Sequence, residues 1–362
     1  MAEAPPTVAL LAGHISHRGE VRRLAQLVDR LAHRSVAALV ICAGGAADLR
    51  ELGVPVLEDP WLHRPWLSRL AVRRLLIDDS DPRLSLVHAL HDEVAEAAAQ
   101  LSATRSVPLI RTIEDDPPTD ASLRLHVPHL AAVVVPDEGL RRRLVDRSFL
   151  AEDFFRVIPP GIDPGIGSRA EHDPPASGRL PVIGAIGRFG PASGFETFLD
   201  AIFRIVESGR DIEFLIGGLG PGEPRLRRRA QRLELTARLT FAPPAALESA
   251  FWRVITLYVH PATGATTAPA LRSALVSGTP SLAGDVPGPR SLLADGRGVL
   301  VPPADPSRLA AAILELLDQP LRARSLADQA RSWAVPRFDP DREADALAGL
   351  YHATVHPPRH HR

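Results

Sequence analysis

The stretch most able to do chemistry is Gly187-Arg188-Phe189-Gly190-Pro191-Ala192-Ser193-Gly194-Phe195. It follows an apolar run, Val182–Ile186, and opens a helical pattern. Glycines let the backbone pass close to a ligand, and a helix start offers N–H groups with partial positive charge. Arg188 adds a planar charged fork suited to phosphate oxygens. That combination can cradle a diphosphate; a glycine-rich turn with Arg188 on a solvated rim satisfies the same spacing. Gly217-Gly218-Leu219-Gly220-Pro221 sits at another run-to-helix junction, where turning and close packing account for its glycines. Arg225, Arg227, Arg228 and Arg229, like Arg141-Arg142-Arg143, read as solvated helix faces more readily than as lipid or partner patches. His352, His356, His360 and His361 read as a polar terminus more readily than as metal ligands. HExxH, paired CxxC and Walker loops are absent, so no metal site is expected.

The elements that must position these loops alternate almost from end to end, which predicts a parallel α/β architecture. Strand candidates in the first half are Val8–Ala12, Val36–Ile41, Leu84–Val87, Leu109–Ile113, Ala131–Val135 and Arg156–Ile158, with helical patterns at Glu20–Leu31 and Glu93–Leu101. The second half offers Val182–Ile186, Ile212–Ile216, Leu239–Phe241, Ile255–Val259, Pro280–Leu282 and Gly298–Val301. Helical patterns at Phe195–Val206, Arg225–Leu233, Ala268–Val276 and Ser307–Leu317 separate them. Asp163 to Leu180 loses apolar periodicity and reads as a linker. The predicted organisation is an N-terminal Rossmann-like domain over 1–165, a linker over 166–180 and a second Rossmann-like domain over 181–338. A C-terminal helix over 339–356, free to pack back on the first domain, and a tail over 357–362 complete it. Ligands of such doubly wound sheets lie outside the strand carboxyl ends, so the cleft between the domains is the expected site.

Composition excludes several classes. The chain has 362 residues, 42 Lys+Arg against 43 Asp+Glu, and a net charge of -1, which leaves no electrostatic footprint for nucleic acid. Hydrophobic residues at 45% and charged residues at 23% are those of a globular protein. A single cysteine, Cys42, excludes an internal disulfide framework and agrees with a reducing compartment. Met1-Ala2-Glu3-Ala4-Pro5-Pro6 lacks a basic start and a long apolar core, so no signal peptide is predicted. No uninterrupted apolar run is long enough to span a bilayer. The expectation is a soluble cytoplasmic protein, with surface contact to a membrane left open. The chain contains neither Lys nor Asn. A GC-rich coding sequence accounts for both absences; such pressure turns Lys into Arg but leaves Glu alone.

Further stretches carry a resemblance: Gly218-Leu219-Gly220-Pro221, Tyr258-Val259-His260-Pro261, Ser277-Gly278-Thr279-Pro280, Asp285-Val286-Pro287-Gly288-Pro289-Arg290 and Asp295-Gly296-Arg297-Gly298-Val299-Leu300-Val301-Pro302-Pro303-Ala304-Asp305-Pro306. With the Gly187–Phe195 loop, they make Pro181 to Ala344 resemble the donor-binding domain of the family 4 (group 1) glycosyltransferases. Val157-Ile158-Pro159-Pro160-Gly161-Ile162-Asp163 resembles the segment that ends that family's acceptor domain, with Pro160 where Asn is usual. The resemblance implies a GT-B fold of two Rossmann-type domains. It also implies a nucleotide diphosphate sugar as donor, transfer with retention to an acceptor, and neither cofactor nor metal. On it, the donor-binding candidates are Gly187, Arg188, Gly194, Phe195, Gly218, Gly220, His260, Thr266 and Thr267.

Four positions depart from the resemblance. Ser193 stands where the family has a Lys that neutralises the leaving diphosphate. Ala265 and Ser273 stand where two Glu hold the donor, and Ser291 replaces a Glu after the Pro-Arg pair. Coding bias excuses Pro160 but none of these, because it would have delivered Arg at 193 and spared every Glu. Where the family commonly has a His after the Thr112-Ile113 strand, this chain has Glu114, followed by Asp115 and Asp116, which read as the start of a loop or a helix cap. Arg188 and Glu114 remain the catalytic candidates. Two functions are expected from these residues: a diverged, retaining glycosyltransferase, or a catalytically silent relative serving as partner subunit or sugar-binding module.

Overall fold

The computed structural model of the protein describes residues 5–15, 18–64, 66–75, 83–116, 127–167, 180–190, 192–242 and 249–356. The chain divides into two compact units, residues 1–161 with 340–362, and residues 162–339.

Unit 1 runs β1 (Thr7–His14), α1 (Arg18–Ala32), β2 (Ala37–Gly44), α2 (Ala46–Glu51), β3 (Val56–Glu58), α3 (Ser68–Leu75), β4 (Leu86–Ala89), α4 (Ala95–Arg105), β5 (Leu109–Thr112), β6 (Leu130–Val135), α5 (Glu138–Arg147) and β7 (Phe155–Val157). The strands form one parallel sheet in the order β3-β2-β1-β4-β5-β6-β7. Runs such as Val133-Val134-Val135 are buried on both faces, which is why they read as unbroken apolar stretches.

Unit 2 runs β8 (Val182–Arg188), α6 (Phe195–Glu207), β9 (Glu213–Leu219), α7 (Glu223–Arg232), β10 (Leu239–Ala242), α8 (Ser249–Val254), β11 (Leu257–His260), α9 (Pro269–Ser277), β12 (Ser281–Gly284), α10 (Pro289–Leu293), β13 (Val299–Val301), α11 (Pro306–Asp318) and α12 (Pro320–Arg337). Its parallel sheet has the order β10-β9-β8-β11-β12-β13. Phe198, Ile202, Phe214 and Ile313 fill one side of it, while Phe251, Trp252, Tyr258, Leu271 and Ala334 fill the other. Residues 162–167 also pack in this unit. Ile162 and Ile166 lie against the second cluster, and Gly167 sits where a Cβ would meet Trp252 at 2.4 Å. The remainder of the linker segment, 168–179, lies outside the described residues.

The chain returns to unit 1 through α13 (Pro340–Val355). Ala344, Leu347, Ala348 and Tyr351 join the unit 1 core, and Arg34 at the end of α1 pairs with Asp341 at 3.1 Å and Asp345 at 2.5 Å. Deep in that core the Tyr351 hydroxyl lies 2.7 Å from His88 Nδ1, and Thr112 Oγ1 lies 2.8 Å from Nε2. Burial pushes the His88 imidazole down to about 3.

Apolar period alone does not reveal every element. The 18-residue helix α12 buries Ala323, Ala327, Ala330 and Ala334, a stripe of small residues that contributes little hydropathy contrast. β3 is three residues long, too short for a period. The basic runs are solvated at Arg142, Arg225, Arg227 and Arg228, and several of their members also make pairs. Arg141 pairs with Glu138 and Glu152, and Arg143 bonds Asp116 at 2.7 Å. Arg225 and Arg229 reach Glu196 and Asp200 on α6 at 2.7 and 2.6 Å. Arg227 stacks 4.5 Å from the Phe241 ring. His352 lies within α13, its Nε2 at 3.3 Å from the Arg34 carbonyl oxygen, whereas His360 and His361 lie outside the described residues.

Candidate functional site

Strand order in unit 2 changes direction between β8 and β11, which makes their carboxyl ends the topological switch point where ligands of open α/β sheets bind. Gly187 and Arg188 end β8, and His260 ends β11. Arg188 is exposed and registers against Leu219 of β9. Behind it the chain turns inward. Phe189 is buried, its N–H donates to the Leu219 carbonyl at 2.8 Å, and its ring meets Phe195 edge-on at 4.9 Å. Such an aromatic pair stabilises by about 1 kcal/mol beyond its burial.

Gly194 is the pivot of this rim. It caps α6 with φ of 74°, and a Cβ there would lie 1.7 Å from the Pro261 carbonyl oxygen. Only glycine meets both demands. No side chain caps the first turn of α6, so its N–H groups and the positive end of its dipole face the switch point. The Thr263 N–H donates to the Ala192 carbonyl at 2.9 Å, tying the loop after β11 to the loop after β8. Gly218 and Gly220 back onto the Gly187 and Phe189 carbonyls, so the second glycine loop closes against the first rather than opening to a ligand. Phe195 is core, 2% exposed, and offers a ligand only its backbone.

His260 lies on the same face of β11 as Tyr258, two residues apart along a strand. Its Nδ1 is 3.3 Å from the Tyr258 hydroxyl, and its Nε2 is buried with no partner among the described residues. Burial lowers the imidazole to about 4, so it is neutral at ordinary pH. An orphaned buried acceptor or donor costs about 1–3 kcal/mol. Thr267 is buried, and Thr266 Oγ1 accepts from the Ala268 N–H at 3.1 Å, fixing the turn into α9.

The four departures keep their places around this edge. Ser193 is half-buried, with its N–H on the Gly190 carbonyl at 3.3 Å. Ala265 is exposed and Ser273 half-buried on α9. Ser291 Oγ donates to the Gly288 carbonyl at 2.8 Å. None carries charge. Pro191 lies outside the described residues. Glu114 belongs to unit 1, 3.6 Å from Arg23 and half-exposed. Sequence reasoning passed over Tyr258 as the partner of His260, although period-2 spacing was the available signal. It also passed over Arg272, 2% exposed on α9 with its guanidinium 6.0 Å from the Phe338 ring.

The family described as "Glycosyl transferases group 1" matches residues 180–319. Residues 180–319 are a group 1 glycosyltransferase domain. The chain is similar to D-inositol 3-phosphate glycosyltransferase of Acidothermus cellulolyticus, 32% identical over 203 residues, covering 50% of this chain and 44% of that protein. It is also similar to 2-deoxystreptamine glucosyltransferase of Streptomyces kanamyceticus, 26% identical over 208 residues, covering 52% and 49%. The chain spans about half the length of the curated relatives it matches. Among solved structures, Anabaena HepE in complex with UDP and glucose superposes with a TM-score of 0.77 at 18% identity, covering 95% of this chain and 98% of that one. A glycosyltransferase from Rickettsia africae superposes at 0.74 and 14%, covering 98% and 100%. These likenesses establish the fold as GT-B, two Rossmann-type units. Among the described residues no helix is long and apolar enough to cross a membrane.

Proposed function

We propose that this chain binds a nucleotide diphosphate sugar at the carboxyl edge of the unit 2 sheet and transfers the sugar, with retention and without a metal, to an acceptor. The observation that carries the reading is the uncapped N-terminus of α6 beside exposed Arg188, at the switch point of a group 1 glycosyltransferase domain. A diphosphate placed there meets backbone N–H groups, the helix dipole and a guanidinium. The same groups stabilise the charge that develops when the diphosphate departs. UDP in the related Anabaena structure supports a nucleotide as the donor class.

Ser193 adds no charge to that stabilisation. A missing transition-state donor costs about 10²–10³ in rate, so turnover is expected to be slow. Calorimetry with UDP, ADP, GDP and TDP tests the reading: at least one binds, and Arg188→Ala weakens it about tenfold or more while leaving the melting temperature unchanged. No binding at millimolar concentration overturns it. Ser193→Lys, combined with Ala265→Glu and Ser273→Glu, is expected to raise turnover. A catalytically silent binding protein is the second reading, favoured by the uncharged side chains at 193, 265, 273 and 291. Nucleotide-sugar binding with neither hydrolysis nor transfer selects it.

A further inference from the structure

The end of β11 holds a buried polar atom without a hydrogen-bond partner among the described residues. His260 is 7% exposed, and its Nε2 lacks a hydrogen-bond partner among the described residues. The Tyr258 hydroxyl lies 3.1 Å from the Ile186 carbonyl oxygen and 3.3 Å from His260 Nδ1. A hydroxyl has one proton to donate, and a carbonyl can only accept. The Tyr258 proton therefore goes to Ile186, and its oxygen accepts from His260 Nδ1–H. In a neutral imidazole this assignment leaves Nε2 as a bare lone pair.

We propose that His260 Nε2 is the hydrogen-bond acceptor for a sugar hydroxyl of the nucleotide diphosphate sugar. The inference rests on the donor-binding reading above and deepens it. Position supports it. β11 pairs with β8 across the switch point, and Pro261, the next residue, abuts the Gly194 cap of α6. Chemistry supports it as well. A phosphate oxygen brings no proton to a lone pair, so Nε2 discriminates against the diphosphate that Arg188 and the α6 N-terminus would take. A hydroxyl brings the proton required. At positions 265 and 273 the side chains, a methyl group and a hydroxymethyl group, supply no carboxylate acceptor nearby in sequence. The hydroxyl comes either from the ribose or from the transferred sugar.

Two measurements test this. In free protein labelled with ¹⁵N-histidine, the His260 resonances are expected to show Nδ1 protonated and Nε2 bare; a protonated Nε2 overturns the inference whatever binds. Calorimetry then compares inorganic pyrophosphate, the best-binding nucleoside diphosphate and its glucose conjugate on wild type and on His260→Ala. Wild type to alanine, the expected change is about a tenfold loss for the nucleotide ligands with pyrophosphate unaffected. Loss with the nucleoside diphosphate itself assigns the ribose; loss confined to the glucose conjugate assigns the transferred sugar. His260→Gln, which retains an acceptor oxygen, keeps most of the affinity, and His260→Leu, which has none, loses it. That pair carries the test where the alanine variant does not fold. Unchanged nucleotide binding in a folded variant, or an equal loss of pyrophosphate, overturns the inference and leaves the donor-binding reading in place. Absence of nucleotide binding by wild type overturns both.

Discussion

The carboxyl edges of the two sheets share a topology and differ in what they leave unmet. In unit 1 the switch point lies between β1 and β4. There the Gly13 N–H donates to His91 Nδ1 at 3.0 Å, and the His14 N–H donates to Glu93 Oε1 at 2.9 Å. The Glu93 carboxylate sits so close that a Cβ on Gly13 would lie 1.3 Å from it. A carboxylate of the chain itself thus takes the N–H of the residue that ends β1. In unit 2 the corresponding edge keeps a helix without a side-chain cap, an exposed Arg188 and a His260 Nε2 with no partner among the described residues. The two edges share a topology, and among the described residues they differ in the side chains that meet their backbone groups.

Breaking the unit 2 edge should have the largest effect. Gly194→Val forces a β-branched residue to positive φ and into the Pro261 carbonyl. Chemical denaturation is expected to show a loss of about 3–5 kcal/mol, with nucleotide binding abolished. A stable, binding-competent valine variant would show that the rim is not rigid at Gly194.

Acid should weaken both units through one buried histidine each. His88 and His260 have folded pKa values lowered to about 3 and about 4 by burial, below the ordinary value of 6.5. The unfolded chain therefore binds more protons between the folded and unfolded values, and stability rises with pH across that window. It is fully present above about pH 6.5 and falls on acidification, by about 2 kcal/mol per histidine between pH 7 and pH 5. Melting temperatures over that range check the slope, and His88→Gln or His260→Gln should each remove one share. Below about pH 4 the unit 2 share levels off first.

Tyr351→Phe removes the hydroxyl that meets His88 and leaves that nitrogen unpaired in the unit 1 core. About 1–2 kcal/mol of stability should be lost, with nucleotide binding in unit 2 unchanged. The smallest and sharpest change is Glu93→Ala. Glu93 is exposed, so stability should move by less than about 0.5 kcal/mol. Removal of its carboxylate frees the His14 N–H, and inorganic phosphate should then raise the melting temperature of an Arg188→Ala background that phosphate otherwise leaves unmoved.

Much of the fold was legible in the residues, for a physical reason. Parallel strands covered on both faces must be apolar throughout, so Leu10, Val87, Val133 and Val259 announced themselves in unbroken runs. The Gly187–Phe195 turn was legible because positive φ and close backbone approach both demand glycine at 194. The alanine stripe of α12 was not, because small residues pack well without raising hydropathy. Nor was the engagement of Arg143 with Asp116, 27 positions away along the chain.

The residues by themselves determined the α/β class, the two-part organisation, the glycosyltransferase resemblance and the uncharged side chains at 193, 265, 273 and 291. Each of these depends on residue type and short-range spacing. The tertiary structure alone decided which polar groups are already spoken for. Gly13 and His14 are met from positions 78 and 79 residues away, and His88 from 263 away. His260 shares a strand with its hydrogen-bond partner, Tyr258, yet whether its second nitrogen finds a partner depends on everything folded around it. Local pattern places a side chain on a face, and only the packed fold determines whether its hydrogen-bonding capacity remains for a ligand.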